Sequence, residues 1–405
     1  MKIEIPQYAW NVIDALNASG YDAYVVGGCV RDSVLGVSAK DWDIATSAKP
    51  DEVKKLFKRT ADTGLRHGTV TVLSDGGLDR NAVEVTTFRC DGKYSDHRRP
   101  DSVAFTEKLE NDLARRDFTV NAIAYHPAEG YIDPFNGMAD IKSRVIRGVG
   151  NPAARFREDA LRMMRAVRFS ATLGFDIEKS VVEAIIENAS LISRVSVERA
   201  RDEIVKTLMS KNAMKIKLFS KYGLLKRIDE RADAYARENS LFEGLSKSPC
   251  SARLPLLLMN MQSAEIKETL KRFKADNKTI KDVTALAPLI RETLEAEPYA
   301  VKVYLNELGH DYLRRLLTLQ RIAGNTDKAT LKDIKNIMNG VLRRGECFSL
   351  NGLALNGEDI KKLGVTDGKA IGETLRRLLD MAMRNPEINR RETLAEIALD
   401  VRRVI

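Results

Sequence analysis

Residues 22 to 36 constrain the fold more than any other stretch. Asp22-Ala23-Tyr24-Val25-Val26 is a β-rich run; it stops at Gly27-Gly28 and gives way to Val30-Arg31-Asp32-Ser33-Val34-Leu35, which reads as a helix closed by Gly36. A strand thus feeds a glycine turn and a helix start. Lacking side chains, Gly27 and Gly28 let backbone approach a ligand closely, and the free amides at the positive end of the helix dipole favour phosphate. Arg31 can add a charge-assisted contact. An ordinary tight turn also uses Gly-Gly, so this element alone does not decide the chemistry.

Asp41-Trp42-Asp43-Ile44 narrows it. Strand alternation puts Asp41 and Asp43 on one face and Trp42 and Ile44 on the other. Two carboxylates on one face repel unless a cation sits between them, and hard oxygen ligands of this kind hold the magnesium of two-metal phosphoryl transfer. In Ala82-Val83-Glu84-Val85-Thr86-Thr87-Phe88, Glu84 faces opposite Val83 and Val85 and is the candidate third carboxylate. A solvated strand residue would show the same alternation.

Phe156 to Phe169 reads as one helix, in which Asp159, Arg162, Arg165 and Arg168 recur at three-residue steps and form a stripe drifting about 60° per step. Cytosine and adenine both present an exocyclic amine that donates beside a ring nitrogen that accepts; guanine and uracil present the reverse. One aspartate accepting from the amine and one arginine donating to the ring nitrogen would take CTP and ATP and refuse GTP and UTP. Asp159 and Arg162 have those chemistries, although an isolated Asp-x-x-Arg is more often a solvated ion pair. Asp117 and Asn121, one helical turn apart, can bond a ribose hydroxyl and orient the sugar.

Four motifs stand in order between residues 27 and 162. They are Gly27-Gly28-Cys29-Val30-Arg31-Asp32 with Asp41-Trp42-Asp43; Arg115-Arg116-Asp117-Phe118-Thr119-Val120-Asn121-Ala122; Asp133-Pro134-Phe135-Asn136-Gly137 with Asp140; and Glu158-Asp159-Ala160-Leu161-Arg162. On these the sequence resembles the bacterial CCA-adding enzymes, tRNA nucleotidyltransferases of the class shared with bacterial poly(A) polymerases, in the wider polymerase-β-like superfamily. The likeness is strong from Tyr21 to about Leu208 and fades afterwards. It implies an α+β fold with an N-terminal polymerase-β-like nucleotidyltransferase head followed by an all-helical neck, body and tail. It implies Mg2+ as cofactor, tRNA (its 3′ end and acceptor arm) as partner, CTP and ATP as substrates, and stepwise, template-independent addition of C, C and A. Asp41 and Asp43 become the metal ligands, with Glu84 the third catalytic candidate. Gly27, Gly28, Arg31, Arg116, Asp117, Asn121, Asp159, Arg162, Arg165 and Arg168 become the nucleotide site. Arg165 and Arg168 lie near the phosphates or the switch between bases, and Arg116 meets the nucleotide while Arg115 is left to solvent.

The same resemblance makes residues 89 to 101 a mobile loop needed for the final A, and likens residues 355 to 364 and 368 to 375 to the C-terminal segment of Gram-positive-type members. There, two glycine turns opening helices, with Lys369 between them, offer amides and charge to tRNA phosphates or serve helix packing alone. The rival readings are a poly(A) polymerase of the same family, and a non-catalytic RNA-binding protein on this scaffold, against which both intact aspartates count.

Length and charge fit this reading. At 405 residues the chain suggests two to four units, and 66 Lys plus Arg against 57 Asp plus Glu, a net charge of +9, suits a polyanionic partner. A change of texture near residue 143 sets the expected boundaries: head 1–142, neck 143–209, body 210–275, tail 276–405. Cysteines 29, 90, 250 and 347 and histidines 67, 97, 126 and 310 are dispersed, which argues against a zinc site or disulfide framework and for a reducing cytoplasm. The start of the chain has no signal-peptide core, no apolar run approaches a membrane span, and the oligomeric state, homodimer included, is left open.

Overall fold

The computed structural model describes residues 2–65, 68–73, 82–92, 103–238 and 248–402. The chain divides into two compact units, Met1–Glu238 and Asn239–Ile405, and their boundary falls inside the expected 210–275 body.

The first unit opens with α1 (Gln7–Ala18), β1 (Ala23–Val26), α2 (Gly28–Val34), β2 (Trp42–Thr46), α3 (Pro50–Leu56), β3 (Thr60–Gly64), β4 (Thr69–Leu73) and β5 (Ala82–Thr87). There follow β6 (Arg89–Asp91), β7 (Val103–Phe105), α4 (Leu109–Ala114), β8 (Ala124–His126) and β9 (Gly130–Ile132). Seven strands form one mixed sheet in the order β3-β4-β5-β2-β1-β8-β9. All four residues of β1 are buried, as a central strand covered on both faces requires, whereas β5 buries Val83 and Val85 and exposes Ala82 and Glu84. β2 and β5 run parallel with Asp43 directly beside Glu84, so the two carboxylates stand on the same sheet face. Tyr24, Val26, Ala45 and Ala124 pack with Phe88, Leu109 and Leu113 into a core that anchors this sheet on α4. The proposed mobile loop of residues 89 to 101 begins in the β6–β7 ribbon, and its greater part, from Lys93 on, lies outside the described residues.

A tight lock ends the head. The Asp133 carboxylate accepts from the amides of Gly137 (2.7 Å) and Met138 (2.8 Å), the first residues of α5 (Gly137–Ser143). Thr119 Oγ1 donates to Asp140 Oδ2 at 2.7 Å, and Arg147 Nε donates to the same carboxylate at 3.1 Å. A Cβ at Gly137 would sit 2.2 Å from the Thr119 carbonyl oxygen and 2.8 Å from Ile123 Cγ1. The Asp-Pro-Phe-Asn-Gly stretch is therefore a backbone-on-backbone contact that only glycine fits. Gly137→Ala is expected to destabilise the first unit by roughly 2 kcal/mol or more, read as a lowered thermal midpoint; an unchanged midpoint would contradict this packing.

Helices dominate from here: after the two-residue β10 (Val145–Ile146) come α6 (Pro152–Glu158), α7 (Leu161–Leu173), β11 (Asp176–Ile177), α8 (Lys179–Asn188) and α9 (Val197–Leu208). α7 packs along α9 and α6 along α8. The expectation of one helix from Phe156 to Phe169 is not met. Asp159 is extended (φ −135°, ψ 104°) between α6 and α7, and its Oδ1 accepts from the Leu161 amide at 3.1 Å. An aspartate that caps the following turn competes with helix continuation and wins here. The Arg162, Arg165 and Arg168 stripe survives within α7.

The second unit is helical, with long members at Lys328–Arg344 and Gly368–Arg384 and a stretch Pro298–Ala323 that breaks into two helices at Gly309 (φ +75°, ψ 168°). Leu355, Ile360, Ile371, Leu378 and Leu394 share one core. The two glycine-opened helices of the tail are capped from within: Asn356 Oδ1 takes the amides of Glu358 (2.9 Å) and Asp359 (3.1 Å), and Asp367 Oδ2 takes that of Ala370 (2.8 Å). Those three amides are engaged, and Ile360 and Ile371 are buried, so both helices pack into the core at these ends. Among the described residues no helix is long and apolar enough to cross a membrane.

Candidate active site

The strand, turn and helix read first in the sequence meet the arginine face of α7 at one pocket of about 670 Å³. It gathers Gly27, Gly28, Arg31, Asp41 and Asp43 with Arg116, Asp117 and Asn121, and with Asp159, Arg162, Arg165 and Arg168, residues up to 141 positions apart in the chain. Glu84 alone of the sequence candidates lies outside this lining; it is exposed, one strand over from Asp43.

Gly27 has φ +79°, and a Cβ there would come within 2.6 Å of Arg116 Nη1. The turn therefore needs glycine both for its backbone and for the guanidinium beside it. Arg116 is held by Asp112 Oδ2 and the Asn121 carbonyl, both at 3.3 Å, and its Nε is buried with no partner among the described residues. Arg115, expected in solvent, is instead bound by Asp112 Oδ1 through Nε (2.9 Å) and Nη2 (2.7 Å). Asp112, fully buried, pairs with both arginines, so removing it would leave two cations uncompensated.

Burial, with Glu84 and Asp41 nearby and only Arg116 opposing, pushes Asp43 up to about 6. Among the described residues no three Asp, Glu, His or Cys side chains close a metal cage by themselves. A pair such as Asp41 and Asp43 nevertheless suits Mg2+, which binds through one or two carboxylates plus substrate phosphates and water.

Asp117 is tied down from three sides. Its Oδ1 accepts from the Phe118 amide (2.9 Å) and Asn121 Nδ2 (3.1 Å), and its Oδ2 from Arg165 Nε (2.7 Å). Burial alone would raise its pKa, but the Arg165 guanidinium and the Asn121 hydrogen bond outweigh it and hold Asp117 at about 2. Asn121 Oδ1 accepts in turn from Arg31 Nη1 at 2.5 Å, so the pair expected one α-helical turn apart is joined through a short 3-10 turn instead.

Three residues to which the sequence reading gave no role support the site: Phe169 and Arg199 line the pocket, and Glu203 anchors one of its arginines. Phe169 receives Arg168 at 3.7 Å, Arg165 at 5.1 Å and Arg31 at 5.4 Å from its ring centre, gathering three guanidiniums about one ring. Glu203 on α9 takes Arg168 Nε at 2.5 Å. Arg199, one turn earlier on α9, donates to Asp159 Oδ2 from Nη2 at 2.8 Å. Arg199 and Glu203 share a helix face at i and i+4, the one signal that could have drawn notice to them. Arg162 Nη1 meets Glu158 Oε2 at 2.8 Å and Nη2 the Arg115 carbonyl at 3.0 Å.

Cationic groups in the pocket outnumber aspartates, as a site for a polyphosphate bound with its metal requires. Family profiles match in the same order. A "Poly A polymerase head domain" covers residues 23–147, a "Probable RNA and SrmB- binding site of polymerase A" residues 174–234, and a tRNA nucleotidyltransferase domain 2 residues 253–398. The CCA-adding enzyme of Lactiplantibacillus plantarum is 38% identical over 407 residues, covering 97% of this chain and 95% of that protein. This chain belongs to the CCA-adding enzyme family. The Limosilactobacillus fermentum CCA-adding enzyme is 36% identical over 96% of this chain and 95% of its own length. The Bacillus stearothermophilus CCA-adding enzyme, solved in complex with CTP, superposes with a TM-score of 0.79 at 33% identity over 98% of both chains. The α+β head followed by helices is thus the architecture of the CCA-adding enzymes, over the whole length of this chain.

The second unit has a wider groove of about 1220 Å³, lined by Lys278, Lys281, Arg314, Arg321, Lys332 and Lys335 among others. Asp282 in its wall is already engaged by Arg315 Nη1 (2.8 Å) and the Tyr312 hydroxyl (2.5 Å), so it does not cancel the remaining charge.

Proposed function

We propose that this protein adds C, C and A in turn to the 3′ end of tRNA, taking CTP and ATP and using no nucleic-acid template, in the bacterial cytoplasm. The observation that carries this is the meeting of the Asp41 and Asp43 pair with Asp159 and Arg162 in one pocket. Asp41 and Asp43 would hold Mg2+, which when bound activates the attacking hydroxyl and neutralises the triphosphate and the leaving pyrophosphate.

The chain's own residues bind and orient. The glycine turn leaves room for backbone amides to meet phosphate, and Arg31 and Arg116 add charge beside it. Asp117 and Asn121, fixed by Arg165 and Arg31, present a rigid pair to the ribose hydroxyls. Asp159 and Arg162 read the amine and the ring nitrogen that cytosine and adenine share. The tRNA 3′ hydroxyl attacks the α-phosphate in line, pyrophosphate leaves, and no covalent enzyme intermediate is needed. The basic groove of the second unit suits tRNA phosphates, whose binding weakens with salt.

Incubating pure protein with tRNA lacking its 3′ end and each labelled triphosphate tests this reading. Growth by CCA followed by arrest supports it; a long A tail supports a poly(A) polymerase instead, and binding without incorporation supports a non-catalytic RNA-binding protein. Glu84→Gln is expected to slow C and A addition alike, roughly ten-fold, if the carboxylate beside Asp43 helps to hold the metal. Equal rates in variant and parent would leave Glu84 as a solvated strand residue.

A further inference from the structure

Asp159 is held by more than its own helix. A carboxylate has about four lone-pair sites. Oδ1 accepts from the Leu161 amide at 3.1 Å and from Arg199 Nη1 at 3.4 Å, which fills it. Oδ2 accepts from Arg199 Nη2 at 2.8 Å and keeps one site. Arg199 comes from α9, forty residues along the chain, lines the same pocket, and is itself only partly exposed. Resting on the base-reading role proposed for Asp159, we propose that Arg199 is a specificity-determining positioning residue. It takes up the surplus acceptor capacity of Asp159 and leaves a single Oδ2 site for the exocyclic amine of the incoming base.

Two consequences follow from donor and acceptor counting. With Arg199 in place Asp159 cannot turn its plane without breaking two charge-assisted hydrogen bonds, so the amine meets an acceptor already oriented. The relation also runs the other way. Arg199 is a donor beside the base edge, and the two N–H groups that Asp159 holds are withdrawn from the O4 of uracil and the O6 of guanine. The pair thus does more than either member: the aspartate accepts from the right bases and at the same time neutralises a group that would accept the wrong ones.

The test is a double-mutant cycle on nucleotide choice, with single-nucleotide incorporation of CTP, ATP, UTP and GTP by the full-length protein on tRNA ending before C and before A. Asp159→Ala should raise the UTP to CTP ratio of kcat/KM. Adding Arg199→Met to Asp159→Ala should then lower that ratio again by roughly ten-fold, because the freed donor is gone. Arg199→Met alone should raise KM for CTP and ATP more than it lowers kcat. Arg199→Lys, which keeps the charge but not the fork of two donors, should fall between it and the parent.

A purely structural role would lower thermal stability and rate for all four nucleotides and leave the ratios multiplicative. Multiplicative ratios, or parental discrimination in both Arg199→Lys and Arg199→Met, would overturn the proposal. The parent protein's own preference for CTP and ATP in the same assay tests the proposed function, so a failure there is told apart from a failure of Arg199.

Discussion

Replacing Asp43 by asparagine is expected to abolish incorporation of both C and A, by about 1000-fold or more, and yet to make the metal-free protein more stable at neutral pH. The loss follows from taking one of two carboxylates from the metal site. The gain follows from the electrostatics of that site. Burial, Glu84 and Asp41 raise Asp43 from its ordinary 3.8 to about 6. A group whose pKa is raised on folding gives its full stabilisation below the unfolded value and loses it as pH rises through the folded one. Between about pH 4 and 6 the protein therefore loses stability that a permanently neutral asparagine retains, of order 1–3 kcal/mol above pH 6. Thermal unfolding in chelator at pH 4 and pH 8 measures it: the midpoints should coincide at the lower pH and favour the variant at the higher. Added Mg2+ should raise the midpoint of the parent protein and leave that of the variant unchanged. Near-normal turnover by Asp43→Asn would remove these carboxylates from the chemistry, and equal stabilisation of both proteins by Mg2+ would place the ion elsewhere.

Much of this site was legible because its chemistry is written in local patterns. Gly27 must be glycine for the turn and for Arg116, and the Asp41 and Asp43 alternation survives as one carboxylate on a strand and one at its entry. What escaped the sequence reading depends on partners far along the chain. Arg199 and Glu203 sit on an ordinary helix, and nothing in the sequence near them tells that they clamp Asp159 and Arg168 from 40 and 35 residues away. By contrast, the Asp112 pairs with Arg115 and Arg116 and the Glu158 pair with Arg162 are local helical spacings.

The break at Asp159 was hidden for a related reason. Three-residue steps look the same whether or not the helix is continuous, and only the tertiary pull of Arg199, with the cap on Leu161, shows where it ends. In the second unit the basic groove draws on helices between residues 277 and 335, each reading alone as an amphipathic helix with a solvated charged face. At the tail glycines the side chains of Asn356 and Asp367 take the amides of Glu358, Asp359 and Ala370, partners that the glycine pattern alone does not show.

The second large effect concerns selectivity. Asp159 Oδ2 retains one acceptor site, and Arg162, with two of its donors committed to Glu158 and Arg115, retains others for the ring nitrogen of the base. Removing either side chain leaves cytosine or adenine short of a partner, a loss of about 1–3 kcal/mol per contact, or roughly ten- to hundred-fold in kcat/KM. Metal affinity should be unchanged, since neither residue touches the Asp41 and Asp43 pair.

The central claim is that these side chains, with no template strand, choose the base. It is tested most directly by kcat/KM for all four triphosphates, in parent, Asp159→Ala and Arg162→Ala proteins, on tRNA ending before C and before A. The account predicts that CTP use on the first tRNA and ATP use on the second both fall, and that the gap to UTP and GTP narrows. Full discrimination in both variants would contradict it and return Asp159 and Arg162 to the role of structural ion-pair partners.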